Sequence, residues 1–519
     1  MSASTERKNR IAAREAGTDK KMLAQQEAAK KAAKSKRRWT LGTILVVVLL
    51  AVIILLNTGF IYTHSTAATV GERKVSPAEL QYYYVNEYSN FLSQYGSYAS
   101  LFGLDTSTGL AGLGEQECPM LGEGKTWRDY FLENAMNSLK QVVALSDYAR
   151  ANDIALDESD LAAIDEDFAS VEQTAKSSGF ANLNRFFSVQ YGEGVSAKLV
   201  RSLIEESTLA SKVMRQVEDS FSFSEDELEE YYASLDGSSD LFDYAYYYVA
   251  AEQLPVEGGE EGETAVTEDT LLEARMTAQA IETAYRDGAD IADPVERFNA
   301  AIEAEFDADE ATVQSAVSGG SLGDMSDWLR DSARKAGDLS VIDDSLGEGS
   351  YVVLFLARDD NHYPTVSVRH ILIRAEAGED GSYSDEAKQA ALDKINEIKA
   401  KFESGDKSEE SFAALAEKYS EDDGSNTNGG LYENIYKGEM VSEFGAFCFA
   451  PHKAGDLGVV YGENDSYAGY HLIYFVGEGE LYSDLIARNA LSSQAMNDFL
   501  AEQTEPLTAE LGRRARLVK

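Results

Sequence analysis

Residues 466–475, SYAGYHLIYF, alternate in the way expected of a β-strand with one face in a core. In the middle of this stretch stands His471, one of only five histidines in the chain. A second candidate strand, residues 366–373 with the sequence VSVRHILI, carries His370. A lone histidine in a strand is usually a satisfied core residue, so the pair has to be judged with its surroundings.

The segment between the two histidines predicts an α+β module. Two helical stretches, SDEAKQAALDKINEIKAKFESG and SFAALAEKYS, follow the first strand, and the sequence FGAFCFAPHKAGDLG precedes the last one. The same order of elements occurs earlier in the chain, and Lys335-Ala-Gly-Asp-Leu339 recurs there as Lys453-Ala-Gly-Asp-Leu457. We therefore predict a duplication, with a first module at 241–362 and a second module at 363–480.

The two modules differ at the histidines. Aligning their first strands puts Tyr246 at the position of His370, and aligning their last strands with a shift of 119 residues puts Val352 at the position of His471. The first module keeps the scaffold without either imidazole. Scaffold packing therefore does not require the histidines, which favours a functional reason for them.

The second module resembles the parvulin-type peptidyl-prolyl isomerases, specifically the exported or membrane-bound foldases of the SurA, PrsA and PpiD kind. The first module resembles a degenerate copy of the same fold. The resemblance rests on the order and spacing of five short motifs, which are His370-Ile-Leu372, Tyr419-Ser-x-Asp422, Gly429-Gly-Leu431, Gly438-x-Met-x-x-x-Phe444 and Gly469-Tyr-His471.

This resemblance implies roles for six residues and implies neither a cofactor nor a metal site. The catalytic residues would be His370, Asp422 and His471, and the pocket for the proline ring would be lined by Leu431, Met440 and Phe444. Asp423 replaces Asp422 if the loop register shifts by one. Taken singly, Met440 and Phe444 are equally typical of a core, and the loop EDDGSN of a solvated surface or a cation site.

The chemistry of such a site needs no bond to be made or broken. Rotation about an X-Pro bond faces a barrier of about 18–20 kcal/mol because amide resonance must be disrupted. A catalyst has only to bind the twisted amide better than either planar form, with an apolar pocket for the ring and hydrogen-bonding groups around the amide. A histidine pair that shares a proton would make this activity sensitive to pH near neutrality.

Residues 65–240 are predicted to be helical, and they resemble the N-terminal chaperone domain of SurA. Helix starts are indicated by Ser76 followed by Pro77, and by a Ser224–Glu227 capping box. Tyrosines could line a groove for unfolded polypeptide or pack between helices; they are Tyr82, Tyr83, Tyr84 and Tyr88. Residues 481–519 are predicted to form a C-terminal helix and tail, with the helix packed back on this region, as is common in the resembled foldases.

The N-terminal part of the chain has the opposite charge from the rest. Residues 1–38 carry twelve Lys and Arg against four Asp and Glu, whereas the remainder has a balance of −52, which disfavours binding to nucleic acid. Residues 39–60 are apolar, uncharged and long enough to cross a bilayer, with basic residues just before them. We expect a single transmembrane anchor with a cytoplasmic N-terminus; a cleaved signal peptide ending near HSTAA is the alternative.

Cysteine usage excludes a disulfide framework. Cys118 and Cys448 are the only cysteines, and both are interpreted as buried small hydrophobes, although one pairing remains open.

The sequence thus predicts a multidomain, membrane-anchored extracytoplasmic foldase, with a helical chaperone region and two α+β modules of which the second is catalytic. Its partners would be unfolded or newly exported polypeptides. The alternatives are a non-catalytic membrane-tethered holdase and an envelope scaffold protein. The sequence predicts neither the clients nor the oligomeric state.

Overall fold

The computed structural model describes residues 3–17, 31, 34, 40, 43–49, 59–256, 263–306, 309–378, 381–464 and 466–519. The predicted anchor at 39–60 lies largely outside these residues. Within them, no helix combines the length and the apolar character needed to cross a bilayer. Most of the basic segment at 1–38 is likewise outside the described residues, apart from one helix near the N-terminus.

The described residues form α-helices and β-strands with the following bounds. The helices are α1 (Ala3–Glu15), α2 (Phe60–His64), α3 (Pro77–Tyr95), α4 (Gly109–Gly112), α5 (Trp127–Ala151), α6 (Glu158–Ser177), α7 (Leu183–Gln190), α8 (Ala197–Glu218), α9 (Glu225–Ser234), α10 (Glu268–Asp287), α11 (Pro294–Glu303), α12 (Ser326–Leu329), α13 (Asp385–Glu403), α14 (Glu409–Tyr419), α15 (Ser442–Cys448) and α16 (Tyr482–Thr504). The strands are β1 (Ala68–Val70), β2 (Arg73–Val75), β3 (Leu241–Ala250), β4 (Gln253–Pro255), β5 (Thr264–Val266), β6 (Thr312–Ser318), β7 (Leu339–Asp343), β8 (Gly349–Asp359), β9 (Pro364–Arg374), β10 (Leu431–Ile435), β11 (Leu457–Asn464), β12 (Tyr467–Leu481) and β13 (Ala509–Leu511).

Side-chain caps begin helices where the sequence predicts them. Ser76 Oγ accepts a hydrogen bond from the Glu79 amide at 3.1 Å, and Pro77 is the first residue of α3. Ser224 and Glu227 form a reciprocal capping box at the start of α9. Each cap satisfies an amide that the helix leaves without a partner, which stabilises a helix by about 1 kcal/mol. Both predicted helix starts are confirmed.

The chain divides into two compact units, of which the first comprises Met1–Phe221 and Gln494–Lys519. Its core lies between α3 and α5, where Tyr83, Tyr84 and Tyr88 are buried and Tyr82 packs against them from the edge. The tyrosine-rich face of α3 is therefore packing surface between helices. It does not line a groove.

The first unit contains short strands besides its helices. Strands β1 and β2 pair with each other, and β1 also pairs with β13 from the far end of the chain, all antiparallel. In the part of α16 that belongs to this unit, Met496, Phe499 and Leu500 pack against a buried cluster that includes Leu145 and Val213. The C-terminal helix thus contributes to the core of the helical unit.

The second unit, Ser222–Ser493, contains two similar antiparallel sheets. Their strand orders are β6-β3-β8-β7 and β10-β9-β12-β11. In each sheet the first and last of the four strands lie side by side at the centre, and the second and third form the two edges. Helices α10 and α11 cover one face of the first sheet, and α13 and α14 cover the corresponding face of the second. Each module therefore has its own core.

The repeated sequence Lys-Ala-Gly-Asp-Leu forms the same turn in both modules. The side chain of Asp338 accepts the Lys335 amide at 2.9 Å, and that of Asp456 accepts the Lys453 amide at 2.8 Å. The intervening glycine has a φ of 92° in the first module and 93° in the second, a conformation that favours glycine. The repeat is thus a structural turn that begins a strand, with no part in chemistry.

The strand register corrects one of the predicted equivalences. Tyr246 pairs with Val353 as His370 pairs with Ile473, which supports the equivalence of Tyr246 and His370. By the same ladder, the counterpart of His471 is Tyr351, so the predicted counterpart Val352 was wrong by one residue. A slip of one residue moves a side chain to the other face of a sheet. Val352 accordingly lies in the helix-covered core.

Candidate active site

Two neighbouring strands bring the predicted histidines together. His370 lies on β9 and His471 on β12, diagonally across the ladder, because His370 pairs with Ile473 and His471 with Leu372. Their Nδ1 atoms are 3.2 Å apart, and the residues are only 3 % and 4 % exposed. The two imidazoles therefore form a buried, directly hydrogen-bonded pair.

The loop after α14 places Asp422 at the outer end of this pair. The Glu421 amide donates to the Leu372 carbonyl at 2.8 Å, and the Leu372 amide donates to Ser420 Oγ at 3.1 Å, which fixes the loop along β9. Asp422 Oδ2 then lies 2.9 Å from His370 Nε2. The loop backbone thus aims the carboxylate at one specific ring nitrogen.

Two hydroxyl groups share the same carboxylate oxygen. Ser425 Oγ donates to Asp422 Oδ2 and lies 3.0 Å from His370 Nε2, and the Tyr432 hydroxyl donates to Asp422 Oδ2 at 3.1 Å. At the other end of the pair, the Tyr467 hydroxyl is 3.0 Å from His471 Nε2. Each imidazole nitrogen therefore has a partner.

If both imidazoles are neutral, the hydrogen-bond donors and acceptors of the network can be assigned in only one way. The carboxylate of Asp422 can only accept, so His370 donates from Nε2 and must accept at Nδ1. His471 consequently donates from Nδ1 and accepts at Nε2, where the hydroxyl of Tyr467 is the donor. The chain of hydrogen bonds therefore runs from Tyr467 through the two imidazoles to Asp422.

Electrostatics support a neutral His471 and an ionised Asp422. The hydrogen bond from His370, followed by those from Ser425 and Tyr432, holds the pKa of Asp422 well below its usual range despite partial burial. Burial, together with the neighbouring His370, lowers the pKa of His471 to about 3. His471 is therefore neutral at physiological pH, and the expected titration near neutrality does not come from this ring.

An aromatic side chain closes the apolar side of the pair. The Phe444 ring, on α15, has its centroid 5.5 Å from that of His370 and 5.2 Å from that of His471, in edge-to-face contact with both. Met440 packs against the cluster that contains Phe444. Cys448, on the same helix, is buried, and burial raises its pKa to about 12, so it is not a thiolate nucleophile.

Comparison with known proteins identifies a family model that matches the part of the chain containing this site. Residues 352–477 match the family model described as the PPIC-type PPIASE domain. The chain contains a parvulin-type domain. The foldase protein PrsA 1 of Listeria innocua is 35% identical over 118 residues, which are 22% of this chain and 32% of that protein.

A second curated relative is similar over a comparable length. The foldase protein PrsA 4 of Bacillus cereus is 36% identical over 122 residues, which are 24% of this chain and 35% of that protein. The chain thus matches about one third of the length of these curated relatives. The crystal structure of the foldase protein PrsA from Streptococcus pneumoniae aligns with 74% of this chain and 91% of that one, at 11% identity and a TM-score of 0.24.

One predicted pocket residue of the parvulin-type domain lies elsewhere. Leu431 pairs with Arg369 on the face of the sheet that the helices cover, whereas its neighbour Tyr432 points to the imidazoles. The structure therefore does not bring Leu431 to Phe444 and Met440, because successive residues of β10 face opposite sides.

The two glycines before Leu431 have a clear reason in this geometry. Gly429 and Gly430 both have positive φ, and a Cβ atom at Gly430 would lie 2.2 Å from the carbonyl oxygen of His370. That glycine lets β10 approach β9 beside the histidine. Gly462 has a related effect, since a Cβ there would lie 2.8 Å from His471 Nε2.

Sequence reasoning missed three polar residues of the site, namely Ser425, Tyr432 and Tyr467. One signal was available: Tyr467 stands four residues before His471 on one strand, and even spacing places both on the same face. No group of three or more His, Cys, Asp or Glu side chains suited to a metal ion occurs among the residues that the structure describes.

Proposed function

We propose that the second module, residues 363–480, catalyses cis/trans isomerisation of X-Pro bonds, with His370, His471 and Asp422 as its catalytic residues. The observation that carries the proposal is the buried imidazole pair held between Asp422 and Tyr467, with Phe444 against both rings. The likeness to the PPIC-type domain supports the reaction class.

In this proposal the proline ring packs against Phe444 and Met440, and the amide to be rotated lies over the imidazole pair. Each ring is fixed by hydrogen bonds on both of its nitrogens, so the network is preorganised and does not have to rearrange as the amide twists. Stabilising the twisted amide more than the planar forms is sufficient for catalysis. No covalent intermediate is required.

The test is isomerisation of a proline-containing tetrapeptide by the full chain. We expect His370→Ala and His471→Ala each to lower kcat/KM by about 10²-fold, the cost of removing one preorganised group from a site of this type. The matched control is Tyr246→Ala, at the position equivalent to His370, which should leave kcat/KM unchanged. Activity that survives both histidine substitutions would refute the catalytic role, and an inactive parent would leave the holdase alternative.

We further propose that the helical region, residues 65–240, holds unfolded polypeptide. Tyr95, Tyr98 and Leu101 are 37 %, 60 % and 80 % exposed, and the last two stand three residues apart on a 3₁₀-helix, which puts them on one side. Exposed apolar side chains grouped in this way are typical of interaction sites. Suppression of aggregation should weaken in a Tyr98→Ser/Leu101→Ser variant and persist in the control Leu346→Ser, which alters a 79 % exposed leucine in the first module.

We propose, finally, that residues 39–60 anchor the chain in the cell membrane, with 1–38 in the cytoplasm and the rest outside. The cluster of Lys and Arg residues directly before this apolar segment supports that topology. Newly exported polypeptides would then be the substrates, with 241–362 as a non-catalytic module and 481–519 as a closing helix and tail. Added protease should digest the body on intact cells; protection of the body would overturn the topology.

A further inference from the structure

Tyrosines replace the histidine pair in the first module. Tyr246 and Tyr351 stand at the ladder positions of His370 and His471, and their ring centroids are 6.0 Å apart. Tyr244 continues the row from Tyr246 at 6.1 Å. The position equivalent to the catalytic pair is therefore occupied by aromatic rings in contact.

The row extends to a fourth ring. Tyr248 lies 4.7 Å from Tyr351, and its hydroxyl donates to Asp344 at 2.8 Å. Tyr244 is buried in the core of this face, so we restrict the name tyrosine ladder to the partly exposed rings of Tyr246, Tyr351 and Tyr248. It runs across β3 and β8 on the face that is not covered by α10 and α11.

The tyrosine ladder is more open than the catalytic pair. In the second module the seven-residue helix α15 places Phe444 on both imidazoles, whereas its counterpart α12 is only four residues long. Tyr246 and Tyr351 pack on one side against the apolar cluster that includes Leu329, make ring contacts with other tyrosines of the sheet, and remain partly exposed. Within the described part of the chain, neither hydroxyl has a hydrogen-bond partner, so both are available to a ligand.

We propose that the tyrosine ladder binds an extended, proline-rich segment that carries lysine or arginine, without isomerising it. Rows of aromatic rings are the surfaces on which polyproline II segments dock, because proline rings pack on their faces and the ligand is already extended. The hydroxyl groups of Tyr246 and Tyr351 would donate to carbonyl oxygens of such a segment, which has no internal hydrogen bonds.

The acidic side chains beside the tyrosine ladder favour a positively charged ligand. Asp344 is bonded to Tyr248. Burial raises the pKa of Tyr351, and the neighbouring charges of Asp344 and Asp324 add to this effect. Burial and the bond to Asp344 likewise raise the pKa of Tyr248, with a smaller contribution from Glu348. Basic residues among the prolines would complement these carboxylates, whereas acidic ones would be repelled.

Catalysis is excluded at this position by the residues that are present. A tyrosine pair with free hydroxyls lacks the fixed chain of donors and acceptors that Asp422 and Tyr467 give the second module. The inference goes beyond the isomerase proposal and stands whether or not the second module is active. It gives the first module a binding role of its own.

The experiment measures fluorescence anisotropy of a labelled proline-rich decapeptide with two lysines, titrated with the full chain. We expect Tyr351→Ala and Tyr246→Leu each to weaken binding by about tenfold, as loss of an aromatic anchor does. The control Leu272→Ala, which alters a 57 % exposed residue of α10 on the other side of the sheet, should bind as the parent does. Peptides with alanine for proline or glutamate for lysine should bind at least about tenfold more weakly to the parent chain.

Tetrapeptide isomerisation and thermal unfolding of the same variants check that the fold and the second module are intact. Saturable binding that Tyr351→Ala and Tyr246→Leu leave unchanged overturns the proposal, as does equal affinity for the alanine peptide or no binding at all. An inactive parent in the isomerisation assay would refute the proposed catalytic function alone, since the anisotropy result does not depend on turnover.

Discussion

The first and second modules share a sheet order and a turn, yet present different side chains at the same two ladder positions. Burying an imidazole pair costs free energy unless both rings are hydrogen-bonded. The second module meets this requirement at both ends, with Asp422 from a loop and Tyr467 from a strand. In the first module, Tyr246 and Tyr351 keep their hydroxyls accessible instead. The comparison teaches that the partner side chains around the pair, and not the strand order, decide whether the position can hold catalytic histidines.

The largest effect is expected from removing the carboxylate that only the second module supplies. Asp422→Ala leaves His370 Nε2 and the hydroxyls of Ser425 and Tyr432 without their common acceptor. We expect the free energy of unfolding to fall by about 2–3 kcal/mol, measured by urea denaturation, because buried donors lose their partner. Asp423→Ala, one residue on and free of these bonds, should change it by less than about 0.5 kcal/mol. Equal effects would mean that the loop does not hold Asp422 as the structure has it.

The next prediction concerns the pH dependence of the free energy of unfolding, which should change when His471 is replaced but not when its counterpart Tyr351 is replaced. The pKa of His471 is lowered to about 3 in the folded protein, so between pH 6.5 and 3 the unfolded chain binds a proton that the folded chain does not. The contribution to stability is complete above about pH 6.5 and declines as the pH falls, by about 2 kcal/mol at pH 5.

A denaturation series at pH 7.5 and pH 5 measures this loss. Between pH 7.5 and pH 5 the free energy of unfolding of His471→Leu should fall by about 2 kcal/mol less than that of the parent, since leucine does not titrate. Tyr351→Leu, at the equivalent position of the first module, should keep the full loss of the parent. If His471→Leu and the parent responded alike to acid, the imidazole would not be held neutral by burial.

A smaller effect is expected at Tyr467, which lies at the end of the network opposite Asp422. Tyr467→Phe removes only the hydroxyl that donates to His471 Nε2, at a cost of about 1 kcal/mol in unfolding free energy. The ring orientation of His471 is then less well fixed, so kcat/KM should fall by about fivefold, the same energy expressed as a rate. Tyr470→Phe is the matched control, because Tyr470 lies on the same strand and faces the helices. A loss in Tyr470→Phe as large as in Tyr467→Phe would point to general strand destabilisation.

Much of the site could be predicted, the two histidines from strand patterns and Asp422 and Phe444 from the resemblance to parvulin-type isomerases. His370 and His471 stand on hydrophobic strands, and the sequence motifs around them place Asp422 and Phe444 at fixed intervals, so these four residues were found and meet in the structure. Periodicity and order carry such information because a sheet converts even spacing into a shared face.

What could not be predicted depends on one-residue register and on loop geometry. The predicted residues Val352 and Leu431 are each one position away from Tyr351 and Tyr432, because pairing in a sheet is set by long-range contacts that sequence alignment does not resolve. Likewise, Ser425 reaches Asp422 through a turn in which the Asn426 amide donates to the Asp422 carbonyl at 2.9 Å. No periodic pattern marks such a turn.

The smallest effect is expected from grafting the histidines themselves. A Tyr246→His/Tyr351→His variant, made in a His471→Ala background, restores an imidazole pair at the equivalent positions but not the carboxylate or the covering phenylalanine. The grafted rings would lack fixed partners at their outer nitrogens, so nothing would preorganise them around a twisted amide. We therefore expect tetrapeptide isomerisation to stay at the level of His471→Ala alone, with binding of the proline-rich peptide weakened. Recovery of activity would show that the two histidines suffice for catalysis. The carboxylate and the phenylalanine of the second module would then contribute little, contrary to the conclusion drawn from comparing the two modules.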